Sequence, residues 1–297
     1  MPLSREDRWL TGWLLLSLAL TAVMLFVNET AFRYTGIWYF PRLGAPLICL
    51  AMQFAYFDRV YLFIPERRGF ILKSCALYGL ANIAMGFFVT GAQFTPFPTI
   101  DAALQRWDHA LHFDTAAMLV WTASHPRLRS VLALCYASTD AQLTLAPLVA
   151  GFAFDRRRMR VYLYAYVYSF ILGGLFYYFF PSSGPGSIYH SPNFTNLQLL
   201  TSAKFYRVHH FQPLTTIMGG MIAFPSFHVM WSVLATYAAL PNRKLFCAIA
   251  ALNVLVVAST VVLGWHYLVD VPAGLALGAL SLYAGERTDR RFAAAEA

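Results

Sequence analysis

Two histidines and an aspartate have the residue types and spacing to do chemistry. His266 and Asp270 are four residues apart, a spacing that places two side chains on one face of a helix. A carboxylate bonded to one imidazole nitrogen fixes the tautomer and raises the basicity of the other, which makes His266 a candidate nucleophile or base. His228 lies in the first turn of another predicted helix and could act as general acid for a leaving oxygen. These three residues are the predicted catalytic set.

A segment rich in Gly and Pro is the predicted anion site beside them. Residues 181–187 read PSSGPGS, and the glycines would let backbone N–H groups approach an anion, as in a nest. Predicted helix starts at 225 and 267 would also direct positive dipole ends outward, toward a phosphate. These features together suit phosphoryl transfer through a phosphohistidine. The predicted substrate-binding residues are Ser182, Ser183, Gly184, Gly186, Lys204, Arg207 and Ser226.

Metal binding is the alternative chemistry for these side chains. Zinc needs three or four ligands at suitable spacing, and the sequence has no H-E-x-x-H pattern. Asp270 could bind a metal only by giving up its orienting role, so neither a metal nor another cofactor is expected. The four cysteines stand singly inside apolar blocks and are predicted to be small buried side chains, not disulfides or metal ligands. They are Cys49, Cys75, Cys135 and Cys247.

The elements that must position these residues are apolar helices. Hydrophobic residues make up 59% of the 297-residue chain and charged residues 12%, against roughly 25% charged in soluble domains. A spanning helix needs about 20 apolar residues. Suitable blocks fall at 9–27, 37–57, 70–90, 128–154, 160–180, 224–240, 245–264 and 267–285. The sequence therefore predicts an all-α polytopic membrane bundle of about eight transmembrane helices, forming one domain over 1–297.

The region 92–127 is too polar to span a membrane as a whole, and it separates N-terminal helices (1–90) from a catalytic core (128–285). Asp101 is predicted to cap an amphipathic helix that lies in the membrane interface. The apolar face of this helix is predicted to consist of Ile100, Leu104, Trp107 and Leu111.

Loop charges predict the orientation of the bundle. Of the 22 Lys and Arg residues, 15 fall in the termini and the loops on their side, so the positive-inside rule places both termini in the cytoplasm. The candidate site then lies on the opposite, non-cytoplasmic side. The net charge of +8 favours loops that face anionic lipid rather than binding to nucleic acid.

The motifs around these residues resemble those of the type-2 phosphatidic acid phosphatase superfamily, whose members share K-x(6)-R-P, P-S-G-H and S-R-x(5)-H-x(3)-D. Residues 225–228 match the second motif with Phe227 for Gly, and 259–270 match the third with Thr260 for Arg. Residues 181–185 take the place of the first motif without its Lys or Arg. The resemblance covers about 125–285, and residues 101–114 are also similar to bacterial members.

The resemblance implies a six-helix lipid-phosphatase-type core without a metal, in which His266 is the nucleophile, Asp270 its partner and His228 the leaving-group acid. With the motif cations missing, Lys204 or Arg207 would have to hold the phosphate. The motifs around His228 and His266 resemble the inositol phosphorylceramide synthase and sphingomyelin synthase branch more than the phosphatases. Enzymes of this branch move a phospho-headgroup from one lipid to another. The implied partners are a membrane phospholipid donor and a lipid alcohol or water acceptor, at the periplasmic face of a bacterial inner membrane.

Two other classes of protein remain open. A proton-coupled transporter could use the His266–Asp270 pair as a relay, although transporters place ionisable groups near the midplane and show internal repeats, which this sequence lacks. A lipid-binding membrane protein with a degenerate site would bind lipid without turnover. Asp140 and Gln142 lie inside a predicted span and have no assigned role.

Overall fold

The computed structural model describes residues 4–31, 66–153, 155–216 and 219–294. Within these ranges every regular element is helical, which confirms the predicted all-α class. The helices are α1 (Arg5–Thr30), α2 (Glu66–Gln93), α3 (Asp101–Ala110), α4 (Thr115–Ala123), α5 (Pro126–Phe152), α6 (Arg156–Phe179), a 3₁₀ turn (Pro185–Ser187), α7 (Asn196–His209), α8 (Phe227–Ala239), α9 (Arg243–Val262) and α10 (Asp270–Ala294). The predicted block at 37–57 lies outside the described residues.

Four of the described helices, α1, α2, α6 and α9, are long and apolar enough to cross a membrane. This is consistent with an integral membrane protein. Helices α5, α8 and α10 coincide with three further predicted blocks. The 13 residues of α8 reach about 20 Å at 1.5 Å per residue, less than the roughly 30 Å of bilayer hydrocarbon. The total of eight spans therefore stays a prediction.

Helix α6 forms the centre of the bundle and packs against α1, α2, α5, α8 and α10. Its aromatic side chains supply much of the core, and the rings of Tyr162, Tyr166 and Phe170 are fully buried. The Tyr166 hydroxyl donates to Asn82 Oδ1 at 3.2 Å, so a polar group is satisfied inside the apolar core. The last turn of α6 leads directly into the Gly- and Pro-rich segment of the candidate site.

Small residues let α10 pack closely against α8. A Cβ at Gly274 would lie 2.8 Å from the Ser226 carbonyl oxygen, and a Cβ at Gly278 would lie 2.9 Å from that of Met230. Glycines four residues apart are a common means of close helix approach in membranes. They bring the first turn of α10 beside the first turn of α8.

Helix α3 buries its two aspartates, together with Leu104, against the rest of the protein. Its buried residues are Asp101, Leu104 and Asp108, whereas Trp107 and Leu111 are more than half exposed. Asp101 also does not cap the helix: Ile100 is the N-cap residue, without a side-chain hydrogen bond. Apolar periodicity does not report that the carboxylates of Asp101 and Asp108 accept hydrogen bonds from distant segments, and the placement of α3 in the membrane interface stays a prediction.

The cysteines are free where the structure describes them, and their burial varies. Cys135 is buried as predicted and Cys75 is half-buried, but Cys247 is exposed on α9. The prediction of burial is therefore wrong for Cys247. Helix α9 packs against the protein with one face only, and Cys247 lies on the other, outward face. Cys49 lies outside the described residues.

Inside α5, the two polar residues that the sequence singled out have different environments. Gln142 is buried and donates through Nε2 to the Ser138 hydroxyl at 3.0 Å, one turn earlier. Asp140 is exposed. Neither environment assigns Asp140 or Gln142 a chemical role.

Candidate active site

His266 and Asp270 form a hydrogen-bonded pair. Nδ1 of the imidazole lies 3.1 Å from Oδ2 of the carboxylate, and both side chains are buried. They do not share a helix face, however: α10 begins at Asp270, and His266 precedes it in a turn. Asp270 Oδ2 also accepts the backbone N–H of Tyr267 at 3.1 Å. With Nδ1 bonded to the carboxylate, Nε2 of His266 is the nitrogen available for reaction.

The second histidine stands opposite this pair. His228 is the second residue of α8, and the centroid of its ring lies 6.0 Å from that of His266, edge to face. Ser226 caps α8, because its side chain accepts from the Val229 N–H at 3.4 Å. The predicted start of this helix at 225 is therefore displaced to Phe227. At this separation the two imidazoles could flank a single reacting atom, an arrangement that a nucleophile and a general acid require.

Backbone hydrogen bonds hold the turn that carries His266. The carbonyl of Thr260, at the end of α9, accepts the N–H groups of Trp265 at 3.0 Å and His266 at 2.9 Å. Gly264 allows this reversal because its φ is +72°, a value that residues with a Cβ rarely adopt. Thr260 stands where the motif has Arg, so this position contributes a carbonyl anchor and no cation.

Helix α3 clamps the same turn through two carboxylates that the sequence did not assign to the site. Asp108 accepts the N–H groups of Leu268 at 2.9 Å and Val269 at 3.0 Å. Asp101 accepts the Tyr267 hydroxyl at 3.1 Å. Burial raises the pKa of both carboxyl groups, and the bonds that they accept oppose this rise. Their spacing of seven, two helical turns, was the available signal for a shared face.

The predicted anion nest is filled by a side chain of the protein itself. Asp101 accepts the Ser182 hydroxyl at 2.8 Å and the N–H groups of Ser183 at 2.9 Å and Gly184 at 3.0 Å. The loop does bind an anion, as its glycines suggest, but that anion is the Asp101 carboxylate. Loop 182–184 and the His266 turn are thereby joined through one residue.

The other end of this loop lies beside a cavity. A Cβ at Gly186 would come within 2.5 Å of the Ser202 hydroxyl, so loop and α7 are in close contact. Ser183, Gly186 and Asp101 line a cavity of about 480 Å³, together with residues of α7. The described lining includes neither His228 nor His266.

The two predicted phosphate-binding cations are engaged elsewhere in the long loop. The Lys204 ammonium donates to the carbonyls of Gly220 at 2.5 Å and Gly219 at 3.4 Å. Burial lowers the pKa of Lys204 to about 8. Arg207 donates to the Pro213 carbonyl at 3.0 Å. Among the described contacts, none joins either cation to His266 or Asp270.

An aromatic residue from α5 completes the described surroundings of His228. The ring of Tyr136 stacks on the imidazole with centroids 4.0 Å apart and on the indole of Trp265 at 5.1 Å. Tyr136 belongs to none of the motifs, and no local pattern in the sequence pointed to it. Its place beside His228 depends on the packing of α5 against α8.

Comparison with known proteins identifies the family of the chain. A family model of the PAP2 superfamily, the type-2 phosphatidic acid phosphatases, matches residues 102–284, which contain all three predicted catalytic residues and most of α3. Searches of curated proteins and of solved structures gave no match. Because the family match covers more than half of the chain, the chain belongs to the PAP2 superfamily, whose members are phosphatases, and this membership supports a function of the lipid-phosphatase type.

Proposed function

We propose that this protein is a membrane lipid phosphotransferase or phosphatase that works through a phosphohistidine on His266. The observation that carries the proposal is the placement of the His228 ring 6.0 Å from a His266 ring whose Nδ1 is bonded to Asp270. Each side chain then has one role. Asp270 orients the imidazole, Nε2 of His266 attacks phosphorus, and His228 exchanges the proton.

The reaction proceeds in two displacements. In the first, His266 Nε2 forms a bond to phosphorus while the bond from phosphorus to the leaving oxygen breaks, and His228 protonates that oxygen. In the second, His228 takes a proton from water or a lipid alcohol, whose oxygen attacks phosphorus and releases His266. A water acceptor makes the protein a hydrolase, and a lipid alcohol makes it a transferase.

The charge of the site favours a phosphodiester donor. Thr260 and Ser182 stand in motif regions where the superfamily patterns carry cations. A phosphodiester has one negative charge fewer than a phosphate monoester and needs fewer cations to bind. This supports the proposal that the protein transfers a phospho-headgroup, in the manner of the inositol phosphorylceramide synthase and sphingomyelin synthase branch, with a sphingolipid-type alcohol among the acceptors to test.

The test uses the full chain, purified in detergent micelles with labelled phosphatidylinositol, phosphatidylcholine, phosphatidylethanolamine and phosphatidic acid. Each donor is offered with ceramide, diacylglycerol or no lipid acceptor. We expect label to move from at least one donor, and we expect His266→Ala and His228→Ala to lower the rate about 10²- to 10⁴-fold. His125→Ala is the matched control, because His125 is exposed and lies outside the site.

Detection of a covalent phosphohistidine would distinguish this mechanism from direct attack by water. Rapid quenching in alkali should trap acid-labile label on the wild-type protein, but none on His266→Ala. Near-normal turnover in either histidine variant would refute the assigned roles. Uptake of a solute into proteoliposomes under a pH gradient, without any product chemistry, would favour the transporter instead.

A further inference from the structure

The side chain of Tyr136 contacts both segments of the candidate site, the first turn of α8 with His228 and the turn that carries His266. Its ring stacks on the His228 imidazole at 4.0 Å with planes 21° apart, and on the Trp265 indole at 5.1 Å with planes 9° apart. Trp265 directly precedes His266, so one ring of α5 contacts both the proposed acid and the segment that carries the proposed nucleophile.

The two histidines are held by different means. Asp270 fixes the His266 ring through a hydrogen bond. Within the described part of the chain, the His228 imidazole has no hydrogen bond, and its ring contacts are with Tyr136 and His266. The ring torsion of a histidine is broad when no partner selects an angle. A stacked aromatic ring can fix this torsion, because the imidazole can rotate only by breaking the stacking contact.

We propose that Tyr136 is a positioning residue for the general acid. Its ring holds the His228 imidazole at the angle that presents a nitrogen to the departing oxygen. The proton itself passes between His228 and the reacting oxygens, and the Tyr136 hydroxyl takes no part. This inference rests on the proposed function, because it presupposes that His228 protonates the leaving group.

The ring and the hydroxyl can be separated by substitution. Tyr136→Phe keeps the stack and is expected to retain kcat within about threefold, because the hydroxyl is not used. Tyr136→Leu removes the stack and is expected to lower kcat by about 10- to 100-fold with little change in KM, since small misplacements of a reacting group have effects of this size. Tyr283→Leu is the matched control, because Tyr283 is an exposed tyrosine near the middle of α10, outside the candidate site.

Two leaving groups distinguish a role in proton transfer from a role in folding. The first substrate is whichever of the four phospholipids above is turned over, and its leaving diacylglycerol alkoxide needs a proton. The second is the p-nitrophenyl ester of the same phospho-headgroup, whose phenolate leaves without one. We expect Tyr136→Leu to lower the ratio of the two rates, phospholipid over nitrophenyl ester, by about 10-fold or more. This ratio does not depend on how much of the variant is folded.

The outcomes separate this inference from the proposed function. An unchanged ratio in Tyr136→Leu, or an equal loss in Tyr136→Phe, would overturn the positioning role. If His228→Ala lowers the ratio and Tyr136→Leu does not, only the present inference fails. If His228→Ala itself leaves both rates unchanged, the proposed function fails with it.

Discussion

The backbone of Ser226 and the α-carbon of Gly274 are in such close contact that a Cβ at position 274 would lie 2.8 Å from the Ser226 carbonyl oxygen. Ser226 caps α8 two residues before His228, and Gly274 follows Asp270 by one turn of α10. The distance between the segments that carry His228 and Asp270 therefore depends on a helix contact that only glycine allows.

Substitution of this glycine should disturb the site without changing any reacting group. We expect Gly274→Ala to destabilise the protein by about 1–3 kcal/mol, a usual range for overpacking, and to lower phospholipid turnover at least several-fold. Thermal unfolding in detergent and the transfer assay would measure both effects. Gly86→Ala is the control, because a Cβ at Gly86 would meet no atom within 4 Å. Equal behaviour of the two variants would show that the α8–α10 contact does not set the geometry.

The orienting role of Asp270 can be tested with a side chain of the same size. Asp270→Asn puts an amide where Oδ2 meets both His266 Nδ1 and the Tyr267 N–H. The amide oxygen can still accept both bonds, but a neutral amide stabilises an imidazolium far less than a carboxylate does, so we expect kcat to fall by about 10²- to 10⁴-fold. Glu286→Gln, an acid-to-amide change further along α10, should leave kcat unchanged. Retention of full activity by Asp270→Asn would exclude Asp270 as the partner of the nucleophile.

Asp108 should matter for both stability and activity, although it does not touch the histidines. Asp108→Ala leaves the N–H groups of Leu268 and Val269 without their acceptor, at a cost of about 1–3 kcal/mol for each buried group that stays unpaired. We expect a lower thermal midpoint and a lower kcat, because these residues hold the turn between His266 and Asp270.

A control for Asp108 comes from the next helix. Asp114 caps α4 by accepting from Ala116 and Ala117, and Asn caps helices as well as Asp does. Asp114→Asn should therefore match the wild type in both measurements. If Asp108→Ala also matches the wild type, the proposed clamp is without effect.

Lys204 should make stability depend on pH in the alkaline range. Its pKa is lowered by burial from 10.5 to about 8, so between these values the unfolded chain binds the proton and the folded chain releases it. Stability therefore rises with pH across this interval, by an amount on the order of 3 kcal/mol. Thermal midpoints between pH 8 and 10.5 should rise more in the wild type than in Lys204→Met.

The lysine variant also tests the expectation that Lys204 binds the phosphate. Lys244→Met is the control for pH dependence, because Lys244 is exposed at the start of α9. The bonds from Lys204 to the Gly219 and Gly220 carbonyls predict an unchanged KM for the phospholipid in Lys204→Met. A marked rise in KM would return Lys204 to the substrate-binding set, and identical pH curves would contradict the stability argument.

The sequence by itself determined the helical class, the superfamily and the contact between His266 and Asp270. Apolar blocks of sufficient length can satisfy their backbone groups only as helices in lipid, so their positions followed from composition. The contact between His266 and Asp270 is local, and a separation of four residues brings such side chains together in a helix or, as here, in a turn.

Only the tertiary structure decided which face of α3 is buried, what occupies the nest and what stands beside His228. Asp108 meets Leu268 across 160 residues of chain, and Asp101 meets Ser183 across 82. Tyr136 and His228 likewise belong to different helices. No spacing rule predicts such contacts, because they depend on how closely helices pack, and here Gly274 and Gly278 set that distance between α8 and α10.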